Sequence, residues 1–100
     1  ETIATVTRDR FKRLIILALV EKEPLSHSDI VQVLGTQILH ANGKQFRHDV
    51  YGRLNELAGL QYIRLEPFYD GNTRRWIARA SFFDIRTKEF FRKHRRLLSE

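Results

Sequence analysis

One hundred residues bound a single domain with one modest core, and 42% hydrophobic against 30% charged residues describe a chain that folds by itself. The formal charge is +6, and the absence of cysteine excludes disulfides, zinc-thiolate sites and thiol nucleophiles while suiting a reducing compartment. The longest apolar run, Leu14 to Val20, is far short of the ~20 residues that span a bilayer, so no membrane partner is expected.

No signal-peptide pattern is read at the start. A beginning at Glu1 rather than methionine is the expectation for a trimmed or processed chain. Thr7 can cap a first helix from about Arg8 to Lys22, with Phe11, Leu14, Ile15 and Ala18 at helical spacing. Because Leu14 to Val20 is apolar almost all round, that helix belongs in the middle of the core. Glu23 and Pro24 end it, and Pro24-Leu25-Ser26 reads as a short extended connector. Ser26 with Asp29 three residues later resembles a capping box and opens a second helix through Ile30, Val31, Val33 and Leu34 to Gly35. From Thr36 to Lys44 the chain either continues that helix to about His40 or forms a loop of roughly nine residues; the turn signal Ala41-Asn42-Gly43 favours the loop.

A third helix is expected from about Lys44 to Ala58, with Gly59 just past its end. Phe46, Val50, Leu54 and Leu57 fall in one narrow arc, the stripe to be buried. The opposite arc holds Lys44, Gln45, His48, Gly52 and Asn55, with Tyr51 at its margin and the acids Asp49 and Glu56 on one shoulder. Leu60 and Ile63 return to the core. Gln61 to Glu66 alternates like a strand, Asp70-Gly71-Asn72 marks a turn, and Thr73 to Ala80 forms the returning strand. Arg64, Arg74, Arg75 and Arg79 decorate this hairpin, while Tyr62 and Trp76 are assigned to core or hairpin packing. A last helix starts at Ser81 with Asp84 or at Thr87. Along it Phe83, Phe90 and Leu97 recur every seven residues, with Phe91, His94 and Leu98 beside them. Such an apolar surface needs a cover, and a second copy of the chain is the economical one.

The charge has a location. Residues 1–43 carry five basic and five acidic side chains, 44–80 seven against four, and 81–100 six against three. The excess therefore lies wholly in the second half, and a polyanion is its natural partner, since each neutralised phosphate releases condensed counterions. Arg92, Lys93, Arg95 and Arg96 either extend that footprint or form a solvated face.

Three helices followed by a hairpin with a basic tip is the winged-helix order. The passage Val50-Tyr51-x-x-Leu54-x-x-Leu57-x-x-Leu60-x-Tyr62-Ile63 resembles the recognition-helix-to-wing passage of winged helix-turn-helix transcription regulators, most like the PadR-like group. The resemblance covers residues 10–80 and is strongest over 50–63. The QILHANGK linker and a terminal helix shorter than many such dimerisation regions depart from the pattern. The resemblance implies a mainly α fold with a small β-hairpin, of α+β class: a winged-helix DNA-binding domain over residues 1–80 and an additional C-terminal helix over 81–100 for dimerisation through Phe83, Phe90, Phe91, His94, Leu97 and Leu98. It implies that the third helix enters the major groove, whose edges distinguish the base pairs. Gln45, His48 and Asn55 would meet base edges, Tyr51 a base or phosphate, and Gly52 would allow close approach. Lys44, Arg47 and Arg53 would grip phosphates, and Arg74 and Arg75 would meet the minor groove or backbone.

His27, His40, His48 and His94 show no metal-ligand spacing, and no nucleophile motif or Gly-rich phosphate loop is present. The expectation is therefore a non-enzyme with no cofactor and no metal: a cytoplasmic, nucleoid-associated homodimer that binds double-stranded DNA and regulates transcription. The alternatives are a winged-helix protein that coats DNA, marks a plasmid partition site or acts in replication, and a winged-helix module for protein–protein contact.

Overall fold

The computed structural model describes residues 3–38 and 43–99. They form a mixed α and β domain in which helices surround one face of a three-stranded antiparallel sheet. A short helix α1 (Ile3–Thr7) precedes α2 (Arg10–Glu21), whose N-cap is Asp9 rather than Thr7; the Asp9 carboxylate accepts from the backbone N–H groups of Phe11 and Lys12. Thr7 instead closes α1. Leu14, Ile15, Ile16, Ala18 and Leu19 of α2 are all buried, as a helix apolar on nearly every side requires. Their helix packs against α1, against all the later helices and against the sheet.

The extended connector after Pro24 becomes a strand, β1 (Leu25–Ser26), because its two residues find free backbone partners on β3 (Arg75–Phe82), pairing with Ala80 and Arg79. Ser26 then caps α3 (His27–Gly35), and the box is reciprocal: Asp29 N–H donates to the Ser26 hydroxyl, and the Asp29 carboxylate accepts from Ser26 N–H. The helix stops at Gly35, with turns through Ile38. Leu39 to Asn42, including His40, lie outside the described residues.

Helix α4 (Gly43–Gly59) buries the expected stripe of Phe46, Val50, Leu54 and Leu57. Its end differs from expectation. Gly59 is helical, and the left-handed residue is Gln61 (φ +64°), with Tyr62 N–H donating to Leu57 O and Gln61 N–H to Ala58 O. That bond pair is a Schellman closure two residues later than the glycine suggested.

Strand β2 (Ile63–Asp70) and β3 pair over their full lengths, from Ile63 with Phe82 to Asp70 with Arg75, a longer hairpin than the alternation alone marked. The sheet order is β1-β3-β2. Asp84 caps α5 (Ile85–Lys93) by accepting from Thr87 N–H, which decides between the two candidate starts, and the helix breaks at His94 before a final turn, α6 (Arg95–Leu98). Phe82, Phe91 and Leu98 join the same hydrophobic core as α2 and α4. The C-terminal helices are thus part of one unit with residues 1–80 and share its core.

Candidate nucleic-acid interface

With its apolar stripe buried, α4 turns Lys44, Gln45, Arg47, His48, Tyr51 and Asn55 to solvent, and Gly52 lies half-buried among them. The two acids of its shoulder are both engaged. Asp49 accepts from Gln45 Nε2 at 3.0 Å, and Glu56 pairs with Lys12 Nζ at 2.8 Å. Lys12 offsets the Glu56 charge, whereas Asp49 keeps its own under a neutral donor; the exposed charged side chains of the outer arc, Lys44 and Arg47, are cationic.

Arg53 corrects the expectation of a phosphate grip. It bonds to Asp9 at 3.2 Å and lies 5.0 Å above the Phe11 ring, so the guanidinium ties α4 to the start of α2. Position 53 sits on the flank of α4 that meets α2, about one helical turn from buried Val50 and Leu57, and its charge is paired within the protein.

The helix face and the hairpin are brought together. An open cleft of about 270 Å³ is lined by His27, Lys44, Arg47, His48 and Tyr51. A second one of about 350 Å³ is lined by Arg47 and Tyr51 of α4, Arg75, Ile77 and Ala78 of β3, and Ser26, His27 and Ser28 at the start of α3. His27 was missed by the sequence reading, although the capping box marked where it would sit. Its Nε2 is 3.2 Å from Arg47 O and its ring meets the Tyr51 ring edge-on at 5.5 Å, which fixes the N-terminal half of α4 against α3.

The chain matches no known protein-family pattern, no curated protein and no solved structure.

At the hairpin tip, Asp70 accepts from Asn72 N–H at 2.9 Å and from the Thr73 hydroxyl at 3.0 Å. The Asn72 amide is the largest cause holding its carboxyl below the ordinary 3.8, with the Thr73 hydroxyl next. Arg74 adopts φ +57° and its N–H donates to Asp70 O, closing the turn. Arg74 and Arg75 are exposed and form no ion pair within the described residues. Arg64 pairs with Glu66 at 3.7 Å, and Arg79 lies flat over Phe68 at 3.9 Å, so neither is as free as the tip pair. Trp76 packs within the hairpin, edge-on to its cross-strand partner Tyr69 at 5.5 Å, and does not reach the core: it remains 70% exposed. Tyr62 does pack inward, edge-on to Phe91.

The residues expected to meet a second copy divide. Phe91 and Leu98 are buried in the chain's own core, because the turn of α5 that carries Phe91 faces Phe82 and Tyr62. Phe90 and Leu97 are exposed, Phe83 is half-covered by Arg64, and His94 folds back onto Phe90 through Nδ1 and Phe90 O. Ile85, 64% exposed at the start of α5, was not anticipated. Of the basic run, Arg95 pairs with Glu21 and Arg92 with Glu89. Among the described residues no helix is long and apolar enough to cross a membrane.

Proposed function

We propose that this chain is a winged helix-turn-helix protein of PadR-like type that binds duplex DNA as a homodimer and regulates transcription. The single observation that carries the reading is the shared cleft: Arg47 and Tyr51 of α4, Arg75 of the hairpin and the start of α3 line one concavity. Two cationic side chains from different elements on one concave face suit a polyanion that runs between them.

In this reading α4, 17 residues and about 25 Å long, lies in the major groove. Gln45, His48 and Asn55 meet base edges, Lys44 and Arg47 hold phosphates, and Gly52 lets the backbone come close. Arg74 and Arg75 reach the adjoining backbone or minor groove. The exposed Phe90 and Leu97, with Phe83 and His94 alongside, are where a second copy docks. Two copies would present their α4 helices about 34 Å apart, one turn of duplex, so the target is a palindrome or a paired repeat.

Selection of bound sequences from a random duplex library, with the mass of the complex in solution, tests this. Enrichment of a two-fold-related site and the mass of two chains per duplex are expected. Failure to bind any duplex at moderate salt sinks the reading and leaves a module for protein contact. Footprints that spread along DNA with rising protein concentration replace the regulator with a coating protein.

A further inference from the structure

The hairpin is longer than the body that covers it. On its inward face the cross-strand pairs run Ile63 with Phe82, Leu65 with Ala80, Pro67 with Ala78 and Tyr69 with Trp76, apolar or aromatic at every step. The helices bury only the first part: Ile63, Ala80 and Phe82 are in the core, whereas Tyr69 is 48% and Trp76 70% exposed. The strand period of two places these rings on the face that would be buried if the body continued, and the body has ended. A cross-strand aromatic pair does stabilise a hairpin. Mutual packing, however, leaves most of the indole in water, a cost that hairpin stability alone does not require.

The surroundings narrow what the indole can meet. Exposed Arg74 precedes Trp76 by two residues and exposed Arg75 by one; Asp70, across the hairpin from Arg75 and attracted to it, is hydrogen-bonded to Asn72 and Thr73, and the tip keeps a net positive charge. Like charges at two such tips oppose self-pairing, whereas a phosphate chain is drawn to them. Aromatic rings beside exposed arginines form the elementary unit for holding unpaired nucleotides, in which bases stack and guanidinium groups track the backbone.

Building on the proposed DNA contact of α4, we propose that Tyr69 and Trp76 form a stacking platform for an unpaired nucleobase. The protein then binds a duplex that carries a single-stranded extension more tightly than the same duplex with blunt ends.

Trp76 is the sole tryptophan of the chain, so its emission reports this site alone. The probes are a blunt duplex and the same duplex bearing a short oligothymidylate overhang, with affinity read by anisotropy of the labelled DNA and stacking by Trp76 emission. The overhang is expected to tighten binding roughly 5- to 160-fold, the fold-change that one stacked base is worth, and to quench Trp76. Trp76→Leu should lose that gain, keep the wild-type affinity for blunt duplex and keep the helical circular dichroism; Trp76→Phe should retain part of the gain. Equal affinity for both probes, unchanged emission at saturation, or a gain that survives Trp76→Leu overturns the platform. Emission that instead changes with protein concentration in the absence of DNA also overturns it, and assigns the rings to a second copy. Blunt-duplex binding without quenching removes the platform and leaves the role of α4 standing. Quenching by the overhang without any blunt-duplex binding does the reverse.

Discussion

Arg53 and Asp9, 44 residues apart, meet at 3.2 Å, and the carboxylate that receives the guanidinium is the one that caps α2. A single acid thus holds the start of the central helix and the flank of α4. Both side chains are about one-third exposed or less, and the Phe11 ring beneath the guanidinium adds a cation–π contact. Arg53→Gln should destabilise the fold by roughly 1 kcal/mol after allowance for solvent screening. Because the charge is spent internally, the slope of DNA affinity against salt should not change. A slope as shallow as that of an Arg47→Gln variant would return Arg53 to the phosphate contacts.

That pair also shows where a sequence stops being legible. The 3.6-residue period of Phe46, Val50, Leu54 and Leu57 was sufficient to place the buried stripe, because burial of an amphipathic helix depends on its own pattern. The Ser26–Asp29 box was equally readable, since both partners lie within one turn. Arg53 with Asp9, His27 with Tyr51, and Arg75 beside Arg47 depend on how elements cross, and no local spacing encodes that. The exposure of Trp76 and the division of Phe90 from Phe91 were not legible for a related reason: alternation says which face a residue shares, and only the extent of the covering body decides whether that face is wet.

The end of α4 offers a test of local strain. Gly59 sits in the helix, where it lacks helix propensity, and a Cβ there would meet nothing within 4 Å; Gln61 occupies the left-handed position that a glycine fills at least cost. Gly59→Ala and Gln61→Gly should each stabilise by about 0.5–1 kcal/mol. The two sites are close enough that the double variant need not be additive. Urea unfolding should show a higher midpoint with unchanged slope. A lower midpoint for Gln61→Gly would mean that its side chain makes a contact worth more than the strain.

Gly52 should separate stability from binding. It lies mid-helix on the outer face with open space around a Cβ, so no packing within the chain calls for glycine. Gly52→Ala should stabilise the isolated protein by about 1 kcal/mol and raise the melting temperature by roughly 4–8 °C. If the backbone approaches DNA here, Gly52→Glu should leave folding intact and abolish duplex binding through bulk and like charge. Duplex affinity unaltered in Gly52→Glu would remove this stretch of α4 from the interface.

Acid should loosen the C-terminal helix. The backbone N–H of Thr87 is the first cause holding the Asp84 carboxyl below its ordinary 3.8, with the Thr87 hydroxyl assisting. A folded-state value below the unfolded one means the charged cap stabilises α5 fully above the unfolded value and loses that contribution as pH falls through the folded one. Circular dichroism followed downward from pH 5 should therefore show an acid transition that Asp84→Asn shifts or flattens. An identical acid limb in that variant would assign the transition to other carboxylates, Asp70 being the first candidate on the same ground.

Arg74 sets stability against function at one residue. A non-glycine side chain at φ +57° costs on the order of 1 kcal/mol, yet the turn places arginine there next to a second exposed arginine. Strain kept at a position with no ion pair is understandable if the charge is needed outside the chain. Arg74→Gly should raise stability by roughly 0.5–1 kcal/mol while weakening binding to every duplex, and the salt slope should fall by about one unit as one phosphate contact is lost. Arg75→Gln, in ordinary extended backbone, should weaken binding similarly without any gain in stability. Should Arg74→Gly and Arg75→Gln together leave both affinity and salt slope unchanged, the hairpin tip takes no part in holding DNA, and α4 must do so alone.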